Sequence, residues 1–150
     1  MAFDKLTPIF LTQMEVPKIH LGKFLVCRTI SKGMAKVATM MLVEDLKGDV
    51  EELGLYNFRP ALDRDGSWIA PGTILAIKEP YLKYGMMNVL FIRVDSPSDV
   101  LFIHETDEKS LREVGAIKWY YHIYIFKFLN AIIKNFHYMR YIFAGTYVLT

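Results

Sequence analysis

The chain has 150 residues, 53% of them apolar and 23% charged, with a formal net charge of +2; that is enough for one domain with its own core and little more. A single cysteine, Cys27, excludes an intrachain disulfide and a cysteine-built zinc cluster. Residues 1–115 hold 14 Lys/Arg against all 16 Asp/Glu, whereas residues 116–150 hold four bases, no acid and 11 of the 21 aromatics, so the chain changes character near residue 116.

Residues 1–21 contain Pro8 and Pro17, which prevent any long regular element, and read as an arm laid against the domain. Asp4 stands where a signal peptide needs a basic region, so the expected location is intracellular, cytoplasmic or nuclear. Residues 22–30 are rich in β-branched and aromatic side chains and predict a first strand. A second strand, 36–44, turns through Gly48 into a third, 50–58. There Leu53, Leu55 and Asn57 point one way and Gly54, Tyr56 and Phe58 the other. Residues 59–72 are a Pro/Asp/Gly-rich connection with room for one helical turn. Residues 73–78 and 89–94 supply the fourth and fifth strands, with a short run at 100–103. Pro80 has no N–H and must end the fourth strand or lie at an edge.

Asp95-Ser96-Pro97-Ser98-Asp99 reads as a bend, because its carboxylates and hydroxyls fall short of the six oxygens that Ca²⁺ takes. Residues 104–115 read as a polar linker, and 116–150 as an aromatic, basic, helical tail, an appendage without which residues 1–115 are expected to fold. The fold class is therefore mainly β: a small OB-like Greek-key barrel or a curled five-stranded sheet over residues 22–103, followed by that tail. The candidate core is Leu25, Ile30, Val37, Met41, Leu53, Leu55, Ile74, Ile77, Leu90, Ile92, Val94 and Leu101.

Chemistry is scarce. Cys27 with His20 or His104 could form a thiolate–base pair, but a cysteine inside the apolar run 24–27 is first a small buried hydrophobe. Paired acids, a Gly-rich phosphate loop, a nucleophile elbow and a His-Glu-x-x-His motif are all missing. No catalytic, cofactor-binding or metal residue is assigned, and the expectation is a non-enzymatic module. Tyr56 and Phe58 with Lys23, Arg28 and Lys36 would make a base-stacking platform for a single-stranded nucleic acid. The acidic balance of residues 1–115 weighs against it, and core packing of those aromatics is the plainer reading. On a helical wheel of 117–143, Lys118, His122, Lys127, Asn130, Lys134, His137 and Arg140 share one half. Such a helix suits a membrane surface or a partner, and its charges forbid a span. Its Phe/Tyr/Ile/Asn/Lys composition equally fits translation of an A/T-rich intron or a shifted frame.

Four ordered motifs, "GKFLVCRTI", "VATMMLVEDLKGDVEELGLYNF", "GTILAIKEPYLK" and "IRVDSPSDVLFI", resemble the N-terminal β domain of eukaryotic proteins that carry tetratricopeptide repeats followed by a SET domain. The resemblance covers residues 16–103. It implies an accessory β domain ahead of partner-binding repeats and of a SET fold that uses S-adenosylmethionine to methylate lysine. Beyond residue 115 neither a 34-residue repeat nor a SET segment follows, so no catalytic residue carries over. The chain reads as the front module of that family, truncated or divergent, with a protein partner. Its expected contact surface is the face of Tyr81, Tyr84, Met86 and Met87, which either plugs the barrel or meets the partner; plugging is favoured, because exposed apolar patches are uncommon.

Overall fold

The run from Phe24 to Thr29 is apolar on both of its faces, so a sheet containing it needs cover above and below. The computed structural model describes residues 3–58 and 65–146, with the side chains of Asp4, Ile123 and 134–146 outside that description. It contains β1 (Thr7–Ile9), β2 (Lys18–Ile19), β3 (Lys23–Thr29), β4 (Met34–Ala35), β5 (Thr39–Asp45), β6 (Val50–Leu55), β7 (Ile74–Lys78), β8 (Tyr81–Tyr84), β9 (Leu90–Val94) and β10 (Val100–Ile103). Two helices follow, α1 (Glu108–Glu113) and α2 (Ile117–Thr146). The five expected long strands are present as β3, β5, β6, β7 and β9, and five short ones join them.

All ten strands form one mixed sheet, ordered β10-β7-β3-β5-β6-β9-β8-β2, with β1 added to β3 and β4 to β5. Most neighbours are antiparallel; β6 runs parallel to β9, and β1 parallel to β3. The sheet is not closed by strand pairing. It must curl, however, because β7 pairs with β3 near one end of this order and β8 with β9 near the other. Only Glu79 and Pro80 separate β7 from β8, a span of about 10 Å at most. Pro80 ends the ladder as expected, and Glu79 takes a left-handed φ of 44° at the bend.

Curling divides the apolar residues into two clusters. Inside lie Leu25 and Cys27 of β3, Met41 and Val43 of β5, Leu53 and Leu55 of β6, Leu75 and Ile77 of β7, and Ile92 and Val94 of β9. Outside, Phe24 and Val26 of β3 with Ile74 and Ala76 of β7 are covered by Leu111, Val114, Ala116 and Trp119. The stretch 104–115 is thus more than the expected polar linker, since its helix α1 inserts Leu111 into the outer cluster. The tail also differs from the expected appendage: Trp119 is buried against the sheet. Beyond it, Tyr124, Ile125, Phe126, Phe128, Leu129 and Ile133 are exposed.

Three expected core residues lie at the surface. Ile30 follows the end of β3, Leu101 is on the edge strand β10, and Val37 sits in the connection to β5, 92% exposed. The hairpin between β5 and β6 turns through Gly48 at φ 89°, as expected. Asp45 holds that turn from within. Its buried carboxylate accepts the N–H groups of Lys47 at 2.8 Å, Asp49 at 3.1 Å and, from the N-terminal arm, Leu11 at 2.9 Å. The motif 95–99 forms a single 3-10 turn, Pro97–Asp99, with the Ser96 side chain accepting from the Ser98 N–H.

Candidate docking groove

On the outer face of β5 and β6, Met40 pairs in register with Gly54, and alternation places Glu52 and Tyr56 on the same side. A side chain at residue 54 would start 3.0 Å from the Met40 sulfur and 3.3 Å from the Tyr56 ring. Glycine therefore lets those two groups close over the strand as a floor. Phe91 and Arg93 of β9 extend it. The Arg93 guanidinium lies 4.2 Å from the Tyr56 ring centre and is held by both oxygens of Asp95, at 2.9 and 3.0 Å. That hydrogen-bonded carboxylate raises the Arg93 pKa, so the charge is fixed and already partnered.

Two loops wall the floor. One is the connection carrying Lys36, Val37 and Ala38; the other is the hairpin tip from Gly85 to Val89. Together they enclose a cavity of about 350 Å³. The tip is closed by the Gly85 N–H on the Val89 carbonyl at 2.8 Å. Met87 and Asn88 adopt φ of 60° and 59°, which turns the tip outward. Met86 is 88% exposed and Met87 94%. The favoured expectation that these methionines plug the sheet interior is corrected: both are exposed, and Leu82, Ile92 and Val94 belong to the cluster that fills the interior.

Of the expected contact set, Met86 lines the groove and Met87 is exposed at the hairpin tip. Tyr84 is half exposed on the hairpin, and Tyr81 faces an adjoining hollow beside Arg93. Of the expected nucleic-acid set, only Lys36 and Tyr56 meet here. Lys23 donates to the Thr7 hydroxyl at 2.8 Å. Arg28 is tied to Glu44 and lies 5.2 Å from the Trp119 ring centre, beneath α2. Phe58 stacks on Trp68, with centroids 6.4 Å apart, because Asn57 at φ 62° breaks the alternation that would have set it beside Tyr56. Sequence reasoning missed Val37, Glu52, Val89 and Phe91. Nothing local marks them, since the groove exists only once distant loops meet.

The thiol–imidazole idea fails on geometry. Cys27 is fully buried in the inner cluster, and burial, with Asp45 nearby, pushes its thiol pKa upward. The His20 Nε2 accepts the Glu15 N–H at 2.9 Å, so its Nδ1 carries the proton donated to the Pro80 carbonyl at 3.0 Å. Both nitrogens are occupied. His104 is exposed and engaged with Thr106. Among the described residues no group of three His, Cys, Asp or Glu could hold a metal ion, and no helix is long and apolar enough to cross a membrane.

No protein-family model matches the chain. It is similar to a protein of Gibberella zeae named methyltransferase, 28% identical over 111 residues. That alignment takes in 71% of this chain but only 15% of the fungal protein, so the chain spans a small part of the relative. The expectation of a non-enzymatic chain is corrected by this match, because the protein it aligns with bears the name of an enzyme.

Proposed function

We propose that the chain is the front β module of a methyltransferase-type protein built on the tetratricopeptide-repeat and SET plan, and that its own contribution is to hold a protein partner. The similarity to the fungal methyltransferase and the four sequence motifs support the first part. The second is carried by one observation: Val37 and Met86, from loops about fifty residues apart in sequence, stand open at one groove. An OB-like fold belongs to the same proposal, supported by the parallel β6–β9 pair and the bend between β7 and β8.

Sequencing transcripts across codons 115–118 tests the module reading. A transcript that continues from there into helical repeats supports it. Transcripts that all run through codons 118–150 to a stop overturn it.

A further inference from the structure

We infer that the groove walled by residues 36–38 and 85–89 takes an apolar protein segment whose anchoring side chain is flanked by one acid and one base. This rests on the protein-binding reading above and names the partner's chemistry.

Three features of the groove select that occupant. The first is shape and softness: a cavity of about 350 Å³ has room for one or two large side chains, at the low end of the roughly 300–1,000 Å³ of ligand sites. Methionine at wall and floor, Met86 and Met40, adapts to anchors of varied outline. The second is held strain. Met87 is a long side chain kept at φ 60°, a conformation that costs about 1 kcal/mol and is retained where surroundings impose it. Next to it, Met86, 88% exposed, gives the cavity an apolar wall.

The third is charge. Lys36 and Glu52 both line the cavity, and neither makes an ion pair among the described residues. Two opposite charges without an ion-pair partner among the described residues, at one apolar mouth, suit a ligand that brings the reverse pair. A phosphate chain brings only negative charge. It would meet the Glu52 carboxylate and, among the described residues lining the cavity, find only Lys36 as a cation without an ion-pair partner; Arg93 beside it is held by Asp95.

The test uses the full chain, immobilised, to select from a displayed library of short random peptides, with affinities read by fluorescence anisotropy. Selected peptides should share an apolar residue between an acid and a base. Met86→Asp and Val37→Asp should each weaken binding about tenfold or more, while circular dichroism shows the fold intact. Lys36→Glu combined with Glu52→Lys should invert the acid–base order of the peptides selected. Failure to select, or binding indifferent to both apolar substitutions, overturns the proposal. So does salt-sensitive binding of labelled oligothymidylate that Lys36→Glu abolishes, which would make the groove a nucleic-acid site. A concentration-dependent dimer in sedimentation, dissolved by Met86→Asp, would make the occupant a second copy and overturn it too. The transcript result is independent of all these outcomes, so the two readings fail separately.

Discussion

Asp45 shows how one buried carboxylate can organise distant backbone. It collects N–H groups from the β5–β6 turn and from the arm at Leu11. An amide in its place offers one acceptor oxygen and turns an N–H₂ towards one of those donors. Asp45→Asn should therefore cost about 2 kcal/mol of stability in urea unfolding; an unchanged midpoint would show that the arm is not anchored there. Cys27, on the neighbouring β3, faces the inner cluster with its thiol pKa raised by burial. It should resist disulfide-exchange reagents in the native chain at pH 8 and react at once in denaturant. Rapid labelling of the native protein would reopen the catalytic reading. The burial of Cys27 was legible from its apolar neighbours. The role of Asp45 was not, because its partners lie up to 34 residues away.

At the scale of elements, the long strands were readable because β-branched and aromatic runs between glycines and prolines need no tertiary information. Of the short ones, β10 matches the run expected at 100–103, whereas β1, β2, β4, β8 and α1 were not legible. Two-residue strands carry no periodicity, and α1 hides one buried leucine, Leu111, among charged residues. The α1 helix is capped by Asp107, which accepts from both the Ser110 side chain and its backbone N–H. Those bonds lower the Asp107 pKa. A folded-state value below the unfolded one, about 4, gives a contribution present above that pH and lost as the pH falls through the folded value. Amide exchange of residues 108–113 should accelerate relative to the β-strands on acidification below about pH 4. Acceleration already at pH 6 would point to a different group.

The first turn of α2 is equally structural. Trp119→Ala should cost about 3–5 kcal/mol. A chain ending at residue 115 should then unfold more easily than one ending at residue 122, and equal urea midpoints would restore the tail to an appendage.

For the molecule as a whole, the curled sheet buries apolar residues inside and, on β3 and β7, outside, while among the described residues no helix is long and apolar enough to cross a membrane. The same curl brings the connection before β5 beside the β8–β9 hairpin, and so creates a groove that no single stretch of sequence encodes. Met86 and Met87 stand exposed and do not pack the sheet. Thermal unfolding of the full chain carrying Met86→Asp and Met87→Asn tests this most directly. Asparagine tolerates the left-handed backbone at residue 87, and substitutions at exposed sites usually change stability by less than about 0.5 kcal/mol. The midpoint should stay within about 2 °C of that of the unsubstituted chain. A fall of about 6 °C or more would mean that these side chains plug the sheet, and would contradict their exposure.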